Sequence, residues 1–203
     1  NSALQSPAYK DCIALSNHNP AAALAKADEW LAIDASMSAH HCRAMALYGL
    51  RRYAEAGEAL TLVRGLVPPE NISLRVFITH QAASAWSNAN RSDLALTALD
   101  TQLAELAPLR GNNAQTSKFT SELLLSRARI NIPFGKTAEA IRDLDHAVSL
   151  TPVNTELLLE RAQTFELMGD KALAKSDVES VLTINSGNTK ARALLARLDG
   201  KGK

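Results

Sequence analysis

The side chains best suited to chemistry in this chain are two cysteines and the histidines beside one of them. His40, His41 and Cys42 are consecutive, and the other cysteine is Cys12. Imidazole and thiolate groups are common zinc ligands, but zinc sites use spacings such as CxxC or HxxxH, which the sequence lacks. Consecutive residues of a helix point about 100° apart, so His40 and Cys42 cannot readily face one ion. We therefore expect no metal site and no cofactor.

Catalytic motifs are also missing from the sequence. It contains no GxSxG, no P-loop, no HExxH and no GxGxxG. The polar residues that do recur are Arg127 and Arg161, each followed at the same offset by Asp143 and Asp177. An ion pair between antiparallel helices, within one unit or to the next, is the simple interpretation. The sequence therefore predicts that the protein is not an enzyme.

These recurring residues belong to a repeat of 34 residues. Residues 121–154 and 155–188 align without a gap, with ELLL on ELLL, Gly135 on Gly169 and Ala140 on Ala174. A fixed period of this length indicates stacked helix–turn–helix units. Gly169 supplies the positive φ that ends the first helix of its unit.

The residues at fixed places in this period resemble the tetratricopeptide repeat. That family favours small residues at positions 8, 20 and 27, an aromatic at 11 and proline at 32. The matching residues are Ala128, Ala162, Ala140, Ala174, Ala147, Phe165 and Pro152. Three residues depart from this pattern: Asn131 at position 11, Val181 at position 27 and Ser186 at position 32.

The resemblance implies an all-α, right-handed superhelical solenoid that forms a single domain over residues 1–203. It has about five helix–turn–helix repeats and a C-terminal capping helix. The predicted boundaries are 3–36, 37–70, 76–109, 121–154 and 155–188 for the repeats and 189–199 for the capping helix. Two segments break the period. We expect 71–75 to add about one helical turn, and the polar segment 110–120 to form a loop.

Composition excludes some classes of partner. The net charge is +1, and the basic residues are scattered, which argues against nucleic acid. No stretch approaches the roughly 20 apolar residues of a membrane-spanning helix. The chain begins with Asn1 rather than Met, so a removed leader stays open.

The resemblance also implies a concave groove, lined by the first helix of each repeat, that holds a peptide or a partner helix. The residues it places there are His41, Met45, Tyr48, Phe77, His80, Ser84, Arg129, Glu156 and Gln163. The carboxylate clamp of the family needs Lys, Asn and Arg at places that hold Ala8, Cys12, Cys42, Phe77 and Gln81 here. We therefore do not expect the groove to bind the C-terminal carboxylate of a chaperone.

The resemblance further implies that Cys12 and Cys42 lie close together, since their positions face one ligand group in clamp-type members. We expect a disulfide, with two reduced thiols as the alternative. A disulfide indicates an oxidising compartment. A cysteine in the first repeat and the HHC sequence in the second resemble exported, periplasmic bacterial proteins of this family. A cytoplasmic location is the alternative.

The sequence thus predicts a scaffold for protein–protein interaction whose partner is an unknown protein or peptide. Two alternatives stay open. The chain could assemble with itself as a structural homo-oligomer, or it could be the regulatory domain of a larger enzyme or assembly.

Overall fold

The chain is a succession of α-helices. The computed structural model describes residue 4 and residues 6–109 and 113–200, and these residues form eleven α-helices and no strand. The all-α prediction is confirmed. The helices are α1 Pro7–His18, α2 Pro20–Ile33, α3 Met37–Gly49, α4 Tyr53–Leu66, α5 Ile72–Asn88, α6 Ser92–Leu106, α7 Ala114–Asn131, α8 Thr137–Leu150, α9 Thr155–Met168, α10 Lys171–Ile184 and α11 Thr189–Leu198.

Polar caps explain where most of these helices begin. A serine, asparagine or aspartate before the helix accepts a hydrogen bond from a backbone N–H of the first turn, which would otherwise have no partner. Pro7 and Pro20 follow two of these caps at the first helical position, where a missing N–H costs nothing. The capping residues are Ser6, Asn19, Ser36, Asn71, Asn113, Asn154, Asp170 and Asn188.

The turns inside four of the helix pairs share a left-handed residue. It is Arg51 (φ 60°), Asn90 (φ 58°), Gly135 (φ 71°) and Gly169 (φ 84°) in chain order, all at the same place in the predicted period. Gly169 ends α9, as predicted. Left-handed backbone costs a residue with a Cβ roughly 1–2 kcal/mol, so Arg51 carries a strain that the two glycines avoid.

The helices are grouped in two compact units, residues 1–104 and residues 105–203, which are referred to as the N-terminal and C-terminal units. In the N-terminal unit, Leu47, Leu60 and Ile78 form a fully buried core between α3, α4 and α5. In the C-terminal unit, Val178 and Leu194 belong to the core that α9, α10 and α11 share. The capping helix α11 therefore covers the apolar face of the last pair, while a single domain over residues 1–203 stays a prediction.

The prediction of a loop over residues 110–120 is wrong for the part that the structure describes. Helix α7 begins at Ala114, after the Asn113 side chain accepts the N–H of Thr116. Thr116 and Thr120 are buried, so this polar segment is a helix with an inward face. Residues 110–112 lie outside the described residues. By contrast, residues 71–75 add a turn to the start of α5, as predicted.

Cys12 on α1 and Cys42 on α3 are joined by a disulfide, with their Cα atoms 6.0 Å apart. Both cysteines are fully buried and pack against Ala27 and the partly buried Trp30 of α2. The bond therefore ties α1 to α3 across a loop that contains the whole of α2.

We expect the unfolded, unreduced protein to have no thiol that reacts with an alkylating reagent. Reduction should lower the free energy of unfolding by roughly 3–4 kcal/mol, because the disulfide limits the conformations of the unfolded chain. Mass spectrometry after alkylation and urea unfolding with and without reductant measure both effects. Two alkylated cysteines in the unreduced sample would contradict the disulfide.

A close helix contact involves a glycine in the middle of α4. A Cβ built on Gly57 would lie 2.6 Å from Cδ2 of Trp86, so the indole ring rests directly on the α4 backbone. Trp86 is 7% exposed, and its Nε1 donates to Thr61 Oγ1 at 3.4 Å. Gly57 is thus needed for the approach of α5 to α4.

Gly57→Ala and Gly65→Ala should therefore have opposite effects, although both glycines lie in α4. Alanine is the better helix former by about 1 kcal/mol. Apart from its chain neighbours and the backbone of its own helix, no atom lies within 4 Å of a Cβ at Gly65, so Gly65→Ala should keep part of that gain. Gly57→Ala should instead lose about 1–2 kcal/mol through overpacking against Trp86. Urea unfolding decides this, and a stabilising Gly57→Ala would contradict the contact.

Candidate partner-binding surfaces

A pocket of about 260 Å³ opens between α3 and α5 in the N-terminal unit. Its lining residues are Met45, Tyr48, Phe77, His80, Gln81 and Ser84. All of them except Gln81 are predicted groove residues, so the structure brings this part of the predicted set together. We call it the α3–α5 pocket.

Helical spacing explains why these side chains converge. Met45 and Tyr48 are three residues apart on α3, and Phe77, Gln81 and Ser84 follow one another at steps of four and three on α5. Residues at these separations lie on one face of a helix. Phe77 is 49% exposed, so the pocket has an aromatic ring that its neighbours leave half uncovered.

Hydrogen bonds hold the Tyr48 ring at the edge of this pocket. Asn88 Nδ2 donates to Tyr48 Oη at 2.9 Å, and the Tyr48 hydroxyl also hydrogen-bonds Ser84 Oγ at 3.0 Å. The Tyr53 ring meets Tyr48 edge to face, with 5.2 Å between the ring centroids. A ring fixed in this way loses little conformational entropy when a partner packs on it.

His41 does not lie at the groove surface, which corrects the prediction. It is 2% exposed, because Tyr9 of α1 stacks on one side and Gln81 of α5 closes the other. Gln81 Oε1 lies 2.7 Å from His41 Nε2, and Tyr9 Oη lies 2.7 Å from His41 Nδ1. An amide oxygen can only accept, so Nε2 carries the proton and Nδ1 accepts from the Tyr9 hydroxyl.

This arrangement makes a buried polar link beneath the α3–α5 pocket. Gln81 continues it to the pocket wall, because its Nε2 donates to Met45 Sδ at 3.4 Å. Burial lowers the pKa of His41, although the hydrogen bond with Gln81 opposes the shift. Burial also lowers the pKa of His80 and raises the pKa of Tyr9 to about 12. The imidazole of His41 is therefore neutral at pH 7.

The three remaining predicted groove residues, Arg129, Glu156 and Gln163, line a different pocket in the C-terminal unit. This pocket has a volume of about 500 Å³, and Glu160 and Lys190 also line it. Arg129 Nη2 donates to Glu156 at 2.9 Å, and Arg129 Nε donates to Glu160 at 2.7 Å. The charges of Arg129, Glu156 and Glu160 are thus paired with one another, whereas no Asp, Glu, Lys or Arg lines the α3–α5 pocket.

The recurring arginine–aspartate pairs are structural. Arg127 holds Asp143 through two hydrogen bonds of 2.8 and 2.6 Å, and Arg161 holds Asp177 through two of 2.8 and 2.7 Å. Each pair lies within one predicted repeat, between its two helices. Arg161 also reaches Asp145 of the preceding repeat at 2.8 Å. The pairs therefore join helices to one another.

Two residues that shape these pockets, Gln81 and Glu160, are not among the predicted groove residues. Their signal is spacing: Gln81 lies one turn after Phe77, and Glu160 lies one turn after Glu156. Within residues 4, 6–109 and 113–200, no group of three His, Cys, Asp or Glu side chains could hold a metal ion. No helix there is long and apolar enough to cross a membrane.

Comparison with known proteins supports the fold. No protein-family model and no curated protein match the chain. Among solved structures it is similar to a Podosopora anserina putative kinesin light chain with nearly identical TPR-like repeats, at 20% identity and a TM-score of 0.70, over 92% of this chain and 96% of that one.

Two peptide-binding proteins are also similar. YrrB, described as a TPR protein with an unusual peptide-binding site, is 16% identical with a TM-score of 0.61, over 95% of this chain and 92% of that one. The first TPR of Spaghetti (RPAP3), bound to the HSP90 peptide SRMEEVD, is 20% identical with a TM-score of 0.53, over 63% of this chain and 93% of that one. These likenesses confirm the tetratricopeptide-type fold that the sequence predicted.

Because His41 is neutral and buried, the free energy of unfolding should depend on pH. The unfolded chain binds a proton near the ordinary histidine pKa of 6.5, whereas the folded pKa is lower. The stability that His41 contributes is therefore complete above pH 6.5 and is lost as the pH falls below it. The free energy of unfolding should decrease from pH 7.5 to 5.5, by at most about 1.4 kcal/mol per pH unit for each such histidine.

His41→Gln should make this pH dependence shallower, and His80 should account for part of what is left. His18→Gln is the matched control, since His18 is exposed at the end of α1. Urea unfolding at several pH values gives the slope for each variant. A slope for His41→Gln equal to that of the unchanged protein would contradict the buried link.

Proposed function

We propose that this tetratricopeptide-type protein is an interaction module whose α3–α5 pocket holds an apolar side chain of a partner segment. The observation that carries the proposal is the half-exposed Phe77 at an uncharged pocket beside a fixed Tyr48. Large apolar and aromatic side chains at the centre of an interface contribute most of its binding free energy. A partner side chain in this pocket would cover Phe77 and exclude water from it.

The lining of the pocket defines the kind of segment it would accept. Met45 and Phe77 offer apolar surface, and methionine adapts its shape to different side chains. No Asp, Glu, Lys or Arg side chain lines the pocket, and burial lowers the pKa of His80, so nothing there favours a carboxylate. The hydroxyl group of Ser84, which also lines the pocket, can bond to a partner backbone. We therefore expect a segment with one large apolar residue, bound as an extended peptide or as a helix.

Two similar proteins make peptide binding a reasonable function for this fold. One is solved with an HSP90 peptide, and the other has a peptide-binding site. The HSP90 peptide SRMEEVD is acidic, whereas the α3–α5 pocket is uncharged. The proposal for this chain therefore concerns a different class of peptide.

We also propose that the protein works in an oxidising compartment, such as the bacterial periplasm. The buried Cys12–Cys42 disulfide supports this, because such bonds persist where thiols are not kept reduced.

Selection from a displayed library of random peptides tests the pocket directly. Peptides that the unchanged protein binds should share one large apolar residue. Phe77→Ala should lower the affinity for these peptides at least tenfold, because the central apolar surface is lost. Fluorescence polarisation gives the dissociation constants.

Phe134→Ala is the matched control, because Phe134 is 64% exposed and lies in the C-terminal unit, outside the pocket. It should leave the affinity unchanged. If Phe77→Ala binds the selected peptides as tightly as the unchanged protein does, the α3–α5 pocket is not their site.

A further inference from the structure

A second apolar pocket lies between α4, α5 and α6 of the N-terminal unit, with a volume of about 380 Å³. Its floor contains the indole ring of Trp86 together with Ala82 and Ala98. It shares no lining residue with the α3–α5 pocket. We call it the Trp86 pocket.

Three threonine hydroxyl groups at the rim of the Trp86 pocket are hydrogen-bond acceptors. Thr61, Thr97 and Thr101 each donate their hydroxyl proton to the backbone carbonyl four residues earlier, at 2.8 Å in all three cases. A hydroxyl group has one proton and two lone pairs. With the proton committed to the helix, these oxygen atoms can only accept from a ligand. Thr61 has one lone pair left for this, because its oxygen also accepts from Trp86 Nε1 at 3.4 Å.

Charge at the rim adds to this preference. Glu58 is exposed, lines the pocket one turn before Thr61, and has no ion pair among the described residues. Arg64 is also a lining residue, but its Nε donates to Thr79 Oγ1 at 3.1 Å and its Nη2 to Gln102 Oε1 at 3.3 Å. Both acceptors are buried, so these donors of Arg64 are directed into the helix interface.

From these features we infer that the Trp86 pocket binds a lysine side chain of a partner protein. The aliphatic stem would lie on Trp86 and the alanines, and the ammonium group would meet Glu58 and the threonine oxygens. An ammonium also interacts favourably with the face of an indole ring. Lysine fits better than arginine, because scattered single oxygen atoms suit a compact group with three donors rather than a planar fork.

Nuclear magnetic resonance of the two tryptophan indole N–H groups tests this inference, with Trp30→Phe used to assign the Trp86 signal. The probes are lysine blocked as the N-acetyl methylamide, the equally blocked norleucine, and free 1,5-diaminopentane. Blocked lysine should shift the Trp86 signal saturably with a dissociation constant in the millimolar range, as expected for so small a ligand. Blocked norleucine, which lacks the ammonium, should bind at least fivefold more weakly.

Glu58→Gln should lower the affinity for blocked lysine about five- to tenfold. Glu29→Gln should leave this affinity unchanged, because Glu29 is an exposed acid on α2 outside the pocket. Equal binding of norleucine and lysine, or an unchanged affinity for Glu58→Gln, would overturn the inference. Binding of the diamine without binding of blocked lysine would also overturn it, since the ligand would then be a free amine.

Discussion

Close approach of helices through small side chains is the constraint on which the rest of this structure depends. Six alanines at equivalent places in three repeats are fully buried, namely Ala44, Ala56, Ala128, Ala140, Ala162 and Ala174. Gly57 extends the same principle, because only a residue without a Cβ lets Trp86 reach the α4 backbone. Tyr48 and Phe77 lie instead at the α3–α5 pocket, where Phe77 is half exposed. Both proposed pockets arise where such large side chains meet the gaps between closely packed helices.

The two units use different interactions to hold their helices. In the C-terminal unit, Arg127 and Arg161 pair with the aspartate of their own repeat. In the N-terminal unit, Arg43 has the same place in the period, but Ala59 stands where the aspartate would be. Arg43 pairs with Asp28 of the preceding repeat instead, at 2.7 Å. The Cys12–Cys42 disulfide and the buried link through His41 add connections between α1, α3 and α5 that the regular repeats lack.

Much of the fold could be predicted from the sequence, because the 34-residue period and its small residues determine helix pairs. Local composition was a poorer guide. The segment after residue 113 is polar, yet it is helical because Asn113 caps it and Thr116 and Thr120 are buried. Five of the predicted groove residues line one pocket between α3 and α5, and their role in binding stays a prediction, whereas His41 is buried because Tyr9 covers it. The Trp86 pocket could not be predicted, because it depends on contacts among three helices.

Binding of a partner segment over the α3–α5 pocket can be measured directly through the three methionines of the chain. Met45 lines the pocket, Met37 is partly buried against the core, and Met168 is 49% exposed in the C-terminal unit. With methyl-labelled methionine, each gives one signal in a nuclear magnetic resonance spectrum. On titration with a selected peptide, the Met45 methyl signal should shift while the Met168 signal stays in place. A shift of Met168 with no change at Met45 would contradict the account.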